Sequence, residues 1–324
     1  MPTPDPQVTL FTTSMRTEFE TTFEAVAEPL PYERWTQTIP STARIEHFNW
    51  MSPTPGVKQF KGHREFAGIH SVPYRVENLE FDAAFSVPLR DIQDDQTGGY
   101  ALKARELASR AKNFPSRWVT KHLAAGSSRA CFDGSNFFAA THNLGGYATN
   151  ANLLTFDPAA TDAVASKLIA LHHGGPLKPL LYLQRRGPDF RSNGGETTSY
   201  EAKEVKYWID LEGEAAYGYW WDAVQVSISD TPTVVELHTI FGNIEKAFRS
   251  FQLPKALTSE DGEYVHEQRV FSTGNLTLIG STSLAEPLRQ ALGENWAPQT
   301  VGGATVATTN RFAGWANWQV SAFL

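Results

Sequence analysis

The chain has 324 residues, of which 41% are hydrophobic and 19% charged, a composition typical of folded globular proteins rather than disordered ones. Its formal net charge of −7 argues against a general nucleic-acid-binding protein, because such proteins need a basic surface to neutralise phosphates. The single cysteine excludes an internal disulfide and a cysteine-based zinc site. With no signal-peptide pattern at its start and no apolar run of about 20 residues, we expect a soluble protein of a reducing compartment.

The N-terminal region predicts an arm rather than a domain. Residues 1–13 hold three prolines in their first six positions, which indicates extended chain. Residues 14–28 predict a short amphipathic helix, with apolar side chains at helical spacing: Met15, Phe19, Phe23 and Val26. Proline-broken chain follows, and a long arm of this kind usually lies on something else.

Residues 44–91 predict a long β-hairpin. Its second half alternates apolar and polar residues without a break from Leu79 to Leu89. The tip, "PTPGVKQFKGHREFAG", is rich in proline, glycine and basic residues, as a solvent-exposed or partner-facing loop would be. A hairpin inside an ordinary sheet is the alternative interpretation.

The longest predicted helix covers residues 99–124, and Pro115 should kink or restart it. Loops and strands follow over 131–230, including the strand patterns "KEVKYWIDL" and "DAVQVSI", with a helical segment around 158–172. Thr233 and Glu236 form a capping box before a strongly periodic helix. The strand "NLTLIG", the helix "LAEPLRQALG" and an aromatic, strand-like C-terminus complete the chain.

The stretch "CFDGSNFFAATH" holds the only candidate for thiol chemistry, with Cys131, Asp133 and His142 close in sequence. A thiol nucleophile needs a base within hydrogen-bond reach and usually the N-terminus of a helix, which stabilises the thiolate. Cys131 instead follows a helix, where the dipole opposes a thiolate. We therefore expect a structural loop, with a thiol hydrolase as the less favoured alternative.

No other stretch predicts catalysis, a cofactor or a metal centre. The adjacent His172 and His173 have no third ligand at metal spacing and fit a turn or surface pair. The basic stretch "LQRRGPDFRS" fits a salt-bridged loop or a subunit contact better than a phosphate site. Hydrolase, metalloprotease and dinucleotide-binding motifs are absent from the sequence.

Three stretches carry a resemblance to a known family. "CFDGSNFFAATH", "PLLYLQRRGPDF" and "EAAYGYWWDAVQV" resemble the major head subunit of Mu-like phages and prophages. The resemblance includes the Asp-Gly-x-Asn-Phe-Phe motif at 133–138 with His142 behind it, and Gln-Arg-Arg at 184–186. The order of predicted elements agrees over most of the chain. The last thirty residues and the hairpin tip are similar in character only.

The resemblance implies an α+β capsid fold of the Hong Kong 97 phage type. That fold has an N-terminal arm, a long β-hairpin called the E-loop, a peripheral domain with a spine helix, and an axial domain. The implied division of this chain is an arm at 1–43, an E-loop at 44–95, a peripheral domain at 96–230, an axial domain at 231–310, and a C-terminal return to the peripheral domain at 311–324.

The implied function is self-assembly, as hexamers and pentamers, into the icosahedral head shell of a phage or prophage particle around double-stranded DNA. The location would be the virion capsid, assembled in the bacterial host cytoplasm, with no enzymatic activity, cofactor or membrane contact. A portal protein, a separate scaffold protein and decoration proteins are the implied partners. Candidate inter-subunit contacts are Phe19, Phe23, Lys58, Phe60, Lys61, Phe66, Arg185 and Arg186. Candidates for weak contact with DNA are Arg105, Arg110 and Lys112, for which a solvated helix face or pairing with neighbouring side chains is the alternative.

Two further classes of protein stay open at this point, and one of them is a soluble partner-binding protein, which would be a stable monomer or small oligomer. An encapsulin-type compartment has the same fold but packages enzymes instead of DNA. Some capsids of this fold also join subunits through an isopeptide bond between a hairpin lysine and a distant asparagine. Lys58 and Lys61 could supply the amine here, and Asn310 and Asn317 the amide.

Overall fold

A computed structural model describes residues 6–26, 32–49, 51, 54–64, 66, 73–94, 98–142, 150–157, 165–194, 203–252, 272–293, 296–301 and 304–324. The helices within these ranges are α1 (Pro6–Ala25), α2 (Leu89–Asp94), α3 (Gly99–Ala124), α4 (Val234–Ser250) and α5 (Ala285–Gly293). None of these described helices is long and apolar enough to cross a membrane.

Strands make up the other half of the architecture. The described strands are β1 (Thr36–Pro40), β2 (Ile45–His47), β3 (Arg75–Glu77), β4 (Leu79–Pro88), β5 (Leu153–Phe156), β6 (Ser166–His172), β7 (Leu180–Ser192), β8 (Glu204–Tyr217), β9 (Ala223–Ile228), β10 (Leu276–Ser281), β11 (Trp296–Val301), β12 (Ala304–Thr309) and β13 (Asn317–Ser321). The predicted α+β class is therefore correct.

The strands form two main sheets. The four-stranded sheet has the order β1-β7-β8-β4, and the five-stranded sheet has the order β13-β10-β6-β9-β5. Two small hairpins, β2–β3 and β11–β12, stand apart from them. The five-stranded sheet takes strands from both sides of residue 230, where the sequence analysis placed a domain boundary.

One face of the four-stranded sheet packs against the two parallel-running helices α1 and α3. Phe81, Phe85 and Val87 of β4 point to this side, where Val87 is fully buried. Phe11 of α1 contacts Tyr100 at the start of α3, with ring centroids 6.1 Å apart. The alternation along β4 thus places its apolar residues in a core shared with both helices.

The structure corrects the prediction of an extended N-terminal arm. Residues 6–13 belong to α1, and the predicted helix at 14–28 is its continuation as far as Ala25. Pro6 is compatible with the first turn of a helix, where its missing N–H is not needed. Val8, Met15 and Phe19 are buried on one face, which fixes the helix on the body of the subunit. Residues 1–5 lie outside the described part of the chain.

The long hairpin predicted at 44–91 is also corrected. Among the described residues of this region, three on each side pair, Ile45–His47 with Arg75–Glu77. The alternating strand β4 pairs instead with β8, in unbroken antiparallel register over ten residues. β4 therefore lies in an ordinary sheet, as the alternative interpretation expected, but as the partner of β8 and not as one arm of a hairpin.

Two further expectations need adjustment. The helical segment predicted around 158–172 is strand β6 from Ser166 onward, while 158–164 lies outside the described residues. β6 is a nearly continuous apolar run in the middle of a sheet, a pattern that a buried strand and a buried helix share. Pro115 does not divide α3, because both halves of that helix bury residues in the core.

The capping box of α4 is present as predicted. The backbone N–H of Glu236 donates to Thr233 Oγ1 at 3.3 Å, and that of Thr233 donates to Glu236 Oε2 at 2.8 Å. We expect Thr233→Ala to lower the free energy of unfolding by about 1 kcal/mol, because the Glu236 N–H loses its acceptor. Chemical denaturation measures the change. Thr239→Ala, in the exposed middle of the same helix, is the control and should cause no loss, since alanine favours helix there; equal effects of the two changes would contradict the cap.

Candidate functional site

The candidate site around Cys131 lies on a tight loop after α3, beneath the aromatic segment that links β8 to β9. Gly134 has a positive φ of 81°, which suits glycine in the turn between Cys131 and Ser135. The backbone N–H of Cys131 donates to the Ser135 carbonyl at 2.8 Å and closes the turn. The predicted trio, Cys131, Asp133 and His142, does meet in space, with its ligand atoms within 4.8 Å of one another.

Asp133 is the centre of this cluster. Its Oδ1 accepts hydrogen bonds from the Cys131 thiol at 3.0 Å and from the Ser135 N–H at 2.9 Å. Its Oδ2 lies 2.7 Å from Nδ1 of His142. Burial alone raises the pKa of Asp133, but the hydrogen bonds from His142 and Cys131 outweigh it and hold the pKa below its ordinary value. Asp133 is therefore an ionised carboxylate within the fold.

The sequence did not predict the part played by Asn152. Its Nδ2 donates to the carbonyls of Phe137 at 2.7 Å and Trp220 at 3.1 Å, and its Oδ1 accepts from the Ala139 N–H at 2.9 Å. These three backbone partners fix the orientation of the amide. His142 Nε2, 3.0 Å from the same Oδ1, must therefore be a donor.

Both ring nitrogens of His142 thus face acceptors, the Asp133 carboxylate and the Asn152 carbonyl oxygen. A histidine that donates from both nitrogens is an imidazolium cation. Its ring stacks on Trp220 with centroids 4.1 Å apart and an interplanar angle of 7°, which adds a cation–π contact. The cluster is a buried ion pair whose hydrogen bonds join the Cys131 loop to the 220–222 turn.

This geometry does not fit a thiol active site. Burial, followed by the neighbouring Asp133 charge, raises the pKa of the Cys131 thiol, whereas a nucleophile needs a lowered one. Cys131 donates to a carboxylate, and His142 is occupied by Asp133 and Asn152 rather than by the sulfur. The same hydrogen bonds use the atoms that a metal ion would need. The geometry supports the expected structural loop.

A second buried histidine, His122 near the end of α3, is neutral. Its Nδ1 accepts a hydrogen bond from Arg129 Nη1 at 2.9 Å, and burial, reinforced by the Arg129 charge, lowers its pKa to about 3. In the unfolded chain a histidine takes up a proton near pH 6.5. In the folded protein His122 takes up its proton only near pH 3. His122 therefore makes stability fall as the pH falls between these values.

We expect His122→Gln to flatten the pH dependence of stability between about pH 6.5 and pH 4. The slope of the free energy of unfolding against pH should become shallower by the equivalent of about one proton. Urea denaturation at a series of pH values measures this slope. Glu214, whose pKa burial raises, acts in the opposite direction and is present in both proteins. Identical slopes for the two proteins would show that His122 does not cause the effect.

The predicted contact residues of the loop between β2 and β3 differ in exposure from Phe19 of α1. Phe60 is 69% exposed and Phe66 89% exposed, and the side chains of Lys58 and Lys61 are exposed beside them. Phe19, in contrast, is 4% exposed and stacks on Phe190 of β7, with centroids 4.9 Å apart. Phe19 is thus a core residue of its own subunit, and its burial does not fit the prediction that it contacts a neighbouring subunit.

Phe23 and the basic residues of α3 contact neighbours within the chain. The Lys112 ammonium lies 5.0 Å from the centre of the Phe23 ring. Arg105 Nε donates to Glu18 of α1 at 2.7 Å, and Arg110 pairs with Glu106 one turn away. The alternative interpretation, that these cations pair with neighbouring side chains, agrees with the structure.

The arginines of β7 and the candidate amides are placed as follows. Arg185 pairs with the buried carboxylate of Glu212, and Arg186 is exposed at a β-bulge. Asn310 is buried, with its Nδ2 donating to the Ala291 carbonyl at 2.8 Å and its Oδ1 accepting from the Phe312 N–H. That environment does not suit it as an isopeptide partner. Asn317, at the start of β13, is exposed.

Comparison with known proteins gives one consistent result. Residues 8–235 match the family model described as "Mu-like prophage major head subunit gpT". The chain is 25% identical over 198 residues to the Mu-like prophage FluMu major head subunit of Haemophilus influenzae, covering 59% of this chain and 64% of that relative. It is 26% identical over 221 residues to the major capsid protein of Escherichia phage Mu, covering 66% and 71% of the two chains.

Solved structures show the same fold over nearly the whole chain. The capsid of bacteriophage JBD30 aligns with a TM-score of 0.72 at 17% identity, over 92% of this chain and 91% of that one. The procapsid of the same phage aligns with a TM-score of 0.70 at 24% identity, over 99% and 100%. The fold is that of tailed-phage capsid proteins of the Hong Kong 97 type.

Proposed function

Because the chain belongs to the family of Mu-like prophage major head subunits, we propose that it is the major capsid protein that assembles into the icosahedral shell of a Mu-like particle and encloses its double-stranded DNA. The observation that carries this proposal is the family match over residues 8–235 together with the capsid fold over the whole chain. The family is one of structural capsid proteins, not of enzymes.

We assign the parts of the fold to the capsid domains as a further part of the proposal. The four-stranded sheet with α3 as the spine helix would be the peripheral domain, and β2, β3 and the residues between them the E-loop. The five-stranded sheet with α4 and α5 would be the axial domain. On this assignment β5, β6, β9 and β13 move from the peripheral to the axial domain, because they belong to the same sheet as β10.

The expected partners follow from the same assignment. The subunit would contact copies of itself in hexamers and pentamers, a portal protein at one vertex and a separate scaffold protein during assembly. A JBD30 capsid structure is decorated with trimers of a minor capsid protein, which supports decoration proteins as a further class of partner. The net charge of −7 and the paired arginines of α3 favour only weak contact with the enclosed DNA.

The exposed loop between β2 and β3 is the surface on which self-assembly would depend. Val57, Phe60 and Phe66 are 92%, 69% and 89% exposed, so their apolar area is available to a neighbouring subunit. Apolar side chains in such positions usually mark interaction sites. Each contact need supply only a few kcal/mol, because closure of a shell multiplies the contacts that each subunit makes.

Negative-stain electron microscopy of the protein, expressed with and without the neighbouring phage genes, tests the proposal. Closed shells or capsomer rings are the expected result. A stable monomer in both preparations would overturn it. Analysis of the contents separates the rival compartment, since packaged enzymes instead of DNA in particles from the complete phage genes would indicate an encapsulin.

A further inference from the structure

His122 of α3 and Glu214 of β8 are a buried histidine and a buried acid that lie side by side without a hydrogen bond. Nδ1 of His122 is 3.7 Å from Glu214 Oε1, and the two side chains are only 8% and 10% exposed. That distance is too long for a hydrogen bond. The same Glu214 oxygen accepts from Trp118 Nε1 and from the backbone N–H of Ala215, both at 3.0 Å. The pair is therefore close enough to form but is held open.

Arg129 occupies the histidine atom that such a pair would use. Its Nη1 donates to His122 Nδ1 at 2.9 Å. A guanidinium cannot accept a hydrogen bond, so Nδ1 carries no proton and the neutral ring has its hydrogen on Nε2. Nε2 is buried and has no hydrogen-bond partner among the described residues. No hydrogen bond from that side prevents the ring from moving toward Glu214.

The charges around the pair are balanced in a way that permits an exchange. Arg129 faces His122 from the loop after α3, and Glu214 faces it from β8. Burial raises the pKa of Glu214, and the Arg129 charge acts against this effect. A protonated His122 could replace Arg129 as the cation beside Glu214, with the same net charge in the cluster. The other titratable groups nearby are uncharged at neutral pH, because burial raises the pKa of each of them: Tyr74, Cys131, Tyr182 and Tyr217.

Arg129 is also the member of the cluster that can leave. It is an exposed residue, whereas His122 and Glu214 are buried. In the part of the chain that the structure describes, no carboxylate forms an ion pair with Arg129. Its guanidinium can therefore turn from His122 into water, where a charged group is well solvated.

We infer that Arg129 is a switch on this buried pair. While its guanidinium donates to His122 Nδ1, the histidine stays neutral. When the guanidinium turns out into the solvent, Nδ1 takes up a proton from water and donates it in a hydrogen bond to Glu214 Oε1. The exchange ties a surface arginine to a buried proton. By linkage, an anionic group that binds Arg129 favours protonation of His122, and acid favours the binding of that group. The switch lies within one subunit and does not rest on the proposed function.

Nitrogen-15 NMR of the histidine rings in the unassembled subunit tests the starting state. The ring nitrogen shifts report which nitrogen carries the hydrogen, and His122→Gln identifies the signals of His122. At neutral pH the ring should be neutral with its hydrogen on Nε2, as the Arg129 contact requires. A hydrogen on Nδ1 at neutral pH would overturn the inference without the need for any further variant.

The same signals, followed against pH, test the exchange. Arg129→Gln is expected to raise the pH at which His122 takes up its proton by about one pH unit or more, because a competing donor and its charge are removed. Arg129→Gln with Glu214→Gln should lose most of this rise, since the protonated ring then has no carboxylate to pair with. Lys121→Gln removes an exposed cation next to His122 in sequence and, as the matched control, should leave the midpoint unchanged. No rise in Arg129→Gln, or an equal rise in the double variant, would overturn the switch.

Discussion

Asp133→Ala is expected to lower the free energy of unfolding by about 3–5 kcal/mol, the usual effect of removing one partner from a buried ion pair. The His142 imidazolium would lose its counter-ion, and the Cys131 thiol and the Ser135 N–H would lose their acceptor. The Asp133 side chain is 2% exposed and that of His142 is fully buried, so water cannot replace the carboxylate easily. Urea denaturation of the unassembled subunit measures the loss.

Two controls separate the ion pair from simple loss of packing. Asp189→Ala removes a carboxylate of the same type whose side chain is half exposed, and it should change the free energy by less than about 0.5 kcal/mol. Asp133→Asn keeps the size of the side chain and removes its charge, so it should cost nearly as much as alanine. If Asp133→Asn were as stable as the parent, the charged state that we assign to His142 would be wrong.

This ion pair also shows how far the sequence could predict the site. The closeness of Cys131, Asp133 and His142 was visible in one loop, and so was the argument against catalysis. Asn152 and Trp220 were not predicted as members of the cluster, because they come from separate segments that only the tertiary structure brings together. The unusual aromatic run "YGYWW" was the one sequence signal of the crowded core into which His142 packs.

The fold could be predicted where one local signal decided the structure. The capping box of α4, the apolar spacing of α3 and the alternation of β4 each specify a single element, and all three elements are present. The partner of β4 could not be predicted, since period-two alternation buries a face without naming the strand beside it. The prediction of a helix at 158–172 was wrong for a related reason, because a short apolar run is compatible with a buried strand as well as a buried helix.

Replacement of Phe60 and Phe66 by serine is expected to abolish shell formation and to leave the subunit as stable as the parent. The two rings are largely exposed in the subunit, and substitutions at such positions usually change the free energy of unfolding by less than about 0.5 kcal/mol. In a shell each phenylalanine would bury apolar area worth roughly 1.5–3 kcal/mol. The loss recurs at every contact of a closed shell, so assembly should fail although folding succeeds.

Two measurements on the same preparations separate an effect on folding from an effect on assembly. Thermal unfolding should show equal midpoints for parent and variant, while sedimentation and electron microscopy should show shells for the parent and free subunits for the variant. Leu102→Ser, on α3, removes an apolar side chain that is 61% exposed outside this loop and is expected to assemble normally. A parental yield of shells from the double variant would mean that the loop aromatics do not hold the subunits together, and contacts made by the rest of the surface would then have to carry assembly.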